Sequence, residues 1–379
     1  MKSTIKINNL LRILGKTLAL LIVVNFFFIV VVKIPFGRIS LYGTIFKPRE
    51  RLPFGENPEQ SYNLTMSDLE SMIASHEVSA IKNPGDKFKI ILLGDSSIWG
   101  FLQKNEDTLA GILSRGINFQ CREKEIEILN LGYPSLSVVK DLMILESVNQ
   151  FDPDLILWFV TLESLPKNKQ KETPLVNANP HIANRVFEKY EIELEQYDIN
   201  PLDYTFINQR RVIADWFRLQ IFGFMWSATG IDHFIPESFS PAQRDFENDK
   251  SFMGFDENEF EEKDLALDVL FNPTVMDGET DFIYINEPIL ISQGIHSDIR
   301  YNFYYPRWAY DFYRSEIKLN TDKLGIKYYD FWDIVPESEF TNSAIHLTQY
   351  GETLLAEEVI AIIKDFCSNE IERTYHTDA

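Results

Sequence analysis

The sequence predicts an α/β protein: a flavodoxin-like, doubly wound parallel sheet of five strands, with a large insertion after strand three and an N-terminal transmembrane helix. Three observations carry this. Apolar runs of strand length alternate with helical periodicity, the mark of parallel strands covered on both faces. "DLILWFV" over Asp154–Val160 is the plainest of these runs. The alternation stops near residue 166 and resumes at Asp281. Thr17–Val32, "TLALLIVVNFFFIVVV", carries no charge and one polar amide, Asn25.

In chain order, the apolar run comes first. Sixteen residues span roughly 24 Å as a helix, short of a bilayer core of about 30 Å. Lys16 and Lys33 bracket the run and can snorkel, and Ile34–Phe36 extends its apolar length. Lys2, Lys6, Arg12 and Lys16 precede it, so the positive-inside rule leaves the N-terminus in the cytoplasm and the rest outside. No small-x-small cleavage site follows, which favours a retained anchor over a cleaved signal. Residues 34–86 read as a connector interrupted by Pro35, Pro48, Pro53 and Pro58. Ser67-x-x-Glu70 is a capping-box pattern that opens a short helix towards Ala80, and Asn63-Leu-Thr65 has the glycosylation pattern.

The α/β domain occupies 87–165 and 280–367. Its strands are expected at Phe88–Leu93, Glu125–Leu131, Asp154–Val160, Asp281–Ile291 and Ile326–Trp332. Helices are expected at Asp107–Ser114, Val138–Asn149, Trp308–Leu324 and from Gln349 to Phe366, with a tail at 368–379. The insertion, 166–279, contains "RRVIADWFRLQIFGFMW" over Arg210–Trp226. That run suits a lid, a helix lying on the membrane, or a helix packed in the core. Residues 244–264 are rich in Asp and Glu and read as a solvated loop. They lack the spacing of a calcium loop.

The net charge of −21 argues against nucleic acid as a partner, and against an anionic membrane surface as the main docking site. The two cysteines, Cys121 and Cys367, have no metal-ligand spacing, and no metal or cofactor is expected.

Ligands of doubly wound sheets gather beyond the carboxyl ends of the strands. Those ends deliver Gly94-Asp95-Ser96, then Asn130-Leu131-Gly132-Tyr133-Pro134, Thr161-Leu162-Glu163-Ser164 and Asn286-Glu287-Pro288. Asn342-Ser343-Ala344-Ile345-His346 precedes the last helix. A serine, a glycine, an asparagine and a histidine on one rim are what acyl transfer requires: nucleophile, oxyanion donors and base.

With those residues in view, the chain resembles the SGNH (GDSL-type) hydrolase superfamily over 87–165 and 280–367. "GDS" at 94–96 matches the block whose serine is the nucleophile. Gly132 in "NLGYPS" matches the block whose glycine amide lines the oxyanion hole, and His346 in "IHLTQYG" matches the block of the base. The resemblance implies that Ser96 attacks an ester carbonyl, that His346 takes its proton, and that the amides of Ser96 and Gly132 hold the oxyanion. Ser97 is the second choice of nucleophile.

The sequence departs from the family at two places. Leu162 stands where an oxyanion asparagine is usual, so Asn286 or Thr161 is the substitute. Ser343 stands where an aspartate is usual, so Asn342 is expected to orient the imidazole. Glu163 and Glu287 are expected to meet solvent or backbone amides. Tyr301–Tyr313, "YNFYYPRWAYDFY", is expected mainly in the core, with sugar stacking as the alternative. In a flavodoxin-like order the first and last helices share one face and finish near the bottom of the sheet. That makes a Cys121–Cys367 disulfide possible outside the cell, against two free buried thiols.

The resulting expectation is a membrane-anchored, extracytoplasmic esterase or acyltransferase acting on O-acyl groups of cell-envelope carbohydrate. By analogy it works beside a membrane-bound O-acyltransferase. The alternative is an inactive SGNH-like module that binds glycan or scaffolds an envelope-polymer synthesis complex.

Overall fold

The structure is a computed structural model, which describes residues 2–31, 39–54, 68–81, 85–229, 235–236, 238–276 and 278–377. The Lys33 flank, the Asn63 sequon and the Ser67 cap lie outside these residues.

Helix α1 (Lys2–Val31) is longer than the apolar run suggested. Its segment Asn9–Ile29 is long and apolar enough to cross a membrane and is not buried against the protein. At 1.5 Å per residue this segment spans about 31 Å, the thickness of a bilayer core, because Arg12 and Lys16 stay within the helix. The connector forms α2 (Leu69–Ser75), which Asp68 caps by accepting from the Ser71 N–H at 3.1 Å. The connector is part of the core rather than a tether. Leu52 is fully buried, and its carbonyl accepts from Trp99 Nε1 at 2.8 Å.

The sheet follows: β1 (Lys87–Leu93), α3 (Ser96–Trp99), α4 (Leu109–Gly116), β2 (Gln120–Cys121), β3 (Lys124–Asn130), α5 (Val138–Val148) and β4 (Leu155–Val160). The insertion contributes α6 (Pro174–Ala178), α7 (Pro180–Lys189), α8 (Phe206–Thr229), α9 (Leu267–Leu270) and α10 (Pro273–Met276). Then come β5 (Asp281–Asn286), α11 (Arg307–Leu324), β6 (Lys327–Asp330) and α12 (Gln349–Thr377).

The strand order is β2-β3-β1-β4-β5-β6. Five strands are parallel and follow the flavodoxin-like order. The expected five-stranded sheet is extended by a sixth strand. The two-residue β2 pairs antiparallel with β3, a hairpin too short to leave a periodic signal. The final helix also continues through the segment expected as a tail.

Alternate residues of β1 serve two cores. Ile91 and Leu93 face α5 and α11, whereas Phe88, Ile90 and Leu92 face α4 and α12. Each such side chain contributes about 1.5–3 kcal/mol by leaving water. The first and last helices of the domain, α4 and α12, share one face, and Cys121 and Cys367 form a disulfide there. The two thiols are therefore not free.

Two expectations for the insertion change. Helix α8 is not a core helix: only Leu219, Gln220, Gly223 and Trp226 are buried. The acidic stretch is not simply solvated, since Phe246, Phe252 and Phe260 are buried within it. Buried Arg300 ties it down by donating to the carbonyls of Asp249 and Ser251.

Candidate active site

The topology brings the carboxyl ends of β1, β3, β4 and β5 to one rim. Directly after β1, Asp95 caps α3 by accepting from the Ser97 N–H at 2.8 Å. Gly100 closes the helix with φ 88°, a left-handed conformation that favours glycine. The loop after β3 approaches α3 closely at Gly132. A Cβ there would stand 2.5 Å from the Trp99 nitrogen and 2.8 Å from the Ile98 carbonyl carbon. Tyr133 N–H donates to the Gly94 carbonyl at 3.0 Å, which locks the two loops together.

Ser96 opens α3. His346 Nε2 lies 2.7 Å from Ser96 Oγ, and His346 Nδ1 lies 2.8 Å from Asn342 Oδ1. With Asn342 Oδ1 accepting, the network assigns the ring proton to Nδ1 and leaves the Nε2 lone pair facing the serine hydroxyl. The histidine loop is clamped on three sides. Thr341 N–H donates to the His346 carbonyl at 2.9 Å, Leu290 N–H donates to the Ala344 carbonyl at 2.7 Å, and Gln103 Nε2 donates to the Leu347 carbonyl at 2.7 Å. The Phe101 ring stacks on the imidazole at 4.7 Å. Burial pushes the His346 pKa down to about 3, so the ring is neutral at ordinary pH.

Ser97 points elsewhere. Its hydroxyl donates to Glu287, and the structure therefore sets Ser96, not Ser97, against the histidine. Glu287 meets neither solvent nor a backbone amide. It is buried beside Asp95, and burial followed by the Asp95 charge raises its pKa well above the usual carboxylate range. Below this pair, fully buried Lys140 donates to the Gly94 carbonyl at 2.7 Å and stands 2.6 Å from Asp141 Oδ1. Trp158 Nε1 donates to the other Asp141 oxygen at 3.1 Å. A compact polar network thus supports the Gly94–Ser97 turn from underneath.

The expected oxyanion donors fare differently. Ser96 N–H sits in the first turn of α3, where no intrahelical carbonyl is available to it. Gly132 N–H instead donates to Asn130 Oδ1 at 3.1 Å, and Asn130 donates onward to the Ile98 carbonyl. The visible use of Gly132 is to admit the α3 backbone. Asn286 is corrected outright. It faces α11, donates to Asp330 at 2.7 Å and accepts from Tyr310 and Tyr313. Strand alternation turns Asn286 away from the rim and its neighbour Glu287 towards it. Thr161 is bonded to the Tyr305 hydroxyl at 3.0 Å, and Leu162 is fully buried in the core. Glu163 pairs with Lys169. Tyr305, Tyr310 and Tyr313 are fully buried, so the aromatic segment serves mainly the core.

Sequence reasoning passed over Lys140, Phe101 and Ser135, and it gave Glu287 to solvent or a backbone amide rather than to Ser97. Lys140 had a visible signal, a charge inside the apolar run "VVKDLMIL". Ser135 Oγ is buried without a hydrogen-bond partner among the described residues, on the loop that Tyr133 fixes to Gly94. No cluster of three metal-ligating side chains occurs among the described residues.

No family model and no curated protein matches the chain. Among solved structures, the chain is similar to a carbohydrate acetylesterase family member from Sinorhizobium meliloti. The identity is 9% and the TM-score 0.36, over 74% of this chain and 99% of that one. Est24, a carbohydrate acetylesterase from the same organism, gives 10% and 0.34 over 74% and 100%. The aryl esterase of M. smegmatis gives 10% and 0.30 over 73% and 98%. Superpositions this loose bear on neither reaction nor substrate.

Proposed function

We propose that the protein is a serine esterase in which Ser96 is the nucleophile, His346 the base and Asn342 the group that orients the imidazole. The observation that supports this reading is the relay itself: Ser96 Oγ to His346 Nε2 at 2.7 Å and His346 Nδ1 to Asn342 Oδ1 at 2.8 Å. In the proposed reaction, Ser96 Oγ bonds to the ester carbonyl carbon while its proton passes to Nε2. The Ser96 amide meets the developing oxyanion. Nε2 then returns the proton to the departing alkoxide, and water or a sugar hydroxyl resolves the acyl-enzyme.

The proposed substrate is an O-acyl group on a cell-envelope carbohydrate, with α1 anchoring the domain outside the cytoplasm. The disulfide favours an oxidising compartment, since such bonds persist there and are rare in the cytosol. The acceptor is proposed from the setting alone, as is a membrane-bound O-acyltransferase partner.

A second reading is a non-catalytic module. It draws on specific observations: the Gly132 amide is already engaged, Asn286 faces away, and Asn342 is neutral beside a histidine of low pKa. A fluorophosphonate probe separates the two. The esterase reading expects labelling that disappears in Ser96→Ala. A folded wild type that resists labelling supports the module instead.

A further inference from the structure

Helix α8 is the long element of the insertion whose outward face is apolar. Its inner face is fixed to the connector. Trp216 Nε1 donates to the Ile39 carbonyl at 2.6 Å, Gln220 Oε1 accepts from Leu41 N–H at 2.8 Å, and the Arg49 guanidinium lies 4.4 Å from the Trp226 ring centre. The outer face follows helical spacing through Phe217, Ile221 and Phe224, which are 54%, 62% and 62% exposed. The connector extends this patch with Ile39 at 53% and Ile45 at 70%. Arg210, Arg211 and Arg218 flank it.

The start of α8 touches the far end of the apolar span. The Phe28 and Phe206 rings pack edge to face at 5.1 Å, and the Ile207 N–H donates to Asn25 Oδ1 at 3.3 Å. Ile39 follows Val31 by eight residues, at most about 28 Å of extended chain. The patch is therefore tethered to the level at which α1 leaves the bilayer.

We propose that the exposed face of α8, together with Ile39 and Ile45, lies in the lipid interface at the outer end of α1. This second attachment fixes how the Ser96 rim is held relative to the membrane. The occupant is lipid rather than a protein because the face is continuous with the span itself. It also combines aromatic and aliphatic side chains with flanking arginines, the composition of helices that lie in the headgroup region. The −21 net charge does not oppose this, because Arg210 and Arg211 border the face, Arg218 is balanced by Asp215 at 3.1 Å, and the attachment itself is apolar. The inference rests on the reading of α1 as an anchor.

The test uses the full chain in vesicles of four parts phosphatidylcholine to one part phosphatidylglycerol. A bimane label is placed at Ile221→Cys, at Phe26→Cys within the span, or at Leu319→Cys on the exposed face of α11. Lipids carrying a shallow nitroxide quencher are then added. The proposal expects at least two-fold quenching and a blue shift at position 221, with position 319 unaffected. Quenching at 26 without quenching at 221 overturns the interfacial placement while leaving the anchor intact. Failure at both positions overturns the anchor and the interfacial face together. Quenching at 221 alone removes the anchor and with it overturns the proposal that the face is a second attachment at the outer end of α1.

Discussion

Asn342→Asp tests the relay most directly. The substitution keeps the side-chain shape and places a carboxylate 2.8 Å from His346 Nδ1, where the present partner is neutral. Thr341 Oγ1, 3.3 Å from Asn342 Oδ1, adds a donor that favours the ionised form. An adjacent opposite charge stabilises imidazolium by roughly 1–3 pKa units, about 1.4–4 kcal/mol. The His346 pKa should therefore rise from about 3 to between roughly 4 and 6. In the proposed mechanism the transition state carries that charge on the ring, so kcat/KM should rise about 10- to 1,000-fold. The assays are NMR titration of the histidine Cε1–H signal and hydrolysis of p-nitrophenyl acetate. An unchanged or lowered pKa in the folded variant refutes the assignment of Asn342. A raised pKa without a rate gain refutes the Ser96–His346 reaction.

Four further outcomes are expected. Gly132→Ala should depress activity through misplacement of α3, because the new methyl meets backbone atoms at 2.5 and 2.8 Å; crystallography or NMR shifts of the Ser96 turn would check this. Glu287→Gln should preserve probe labelling, because it mimics the protonated acid, whereas Glu287→Ala should lower it by leaving Ser97 and Asp95 without their partner; equal labelling of the two variants would remove the positioning role. Burial holds the Glu352 pKa at about 8, above the unfolded carboxylate value of 4.5. A raised folded pKa means its stabilising proton is present below pH 4.5 and is lost as pH rises towards 8, so Glu352→Gln should gain up to about 3 kcal/mol at pH 7 and flatten the pH dependence of Tm. Reduction of Cys121–Cys367, which closes a loop with a sequence separation of 246, should lower stability by about 2–5 kcal/mol in a denaturant titration.

The central strands β1, β4 and β5 were legible because they are largely buried on both faces and so read as apolar runs, as "LILWFV" does in β4. The rim was legible for the same reason: a strand's end is visible, and ligands collect beyond it. Asn342 was legible as the imidazole partner only through the family resemblance, as the neighbour of Ser343, which stands where an aspartate is usual. The two-residue β2 was not, since pairing that short leaves no period. Nor was the placement of α8, whose apolar residues give the same pattern in a core or on a lipid surface.

Asn286 and Glu287 mark the boundary most clearly. The sequence by itself determined that a serine, a histidine and an asparagine lie at strand or loop ends that can converge. It could not determine which way each neighbouring side chain faces. A one-residue change of phase in β5 exchanges the core for the rim, and only the paired sheet sets that phase. The tertiary structure gave Ser96 to His346, Ser97 to Glu287, the Gly132 amide to Asn130, and Asn286 to the tyrosines of α11. Apart from the local Gly132–Asn130 bond, these contacts join residues distant in the chain, and their partners meet only once the sheet has closed.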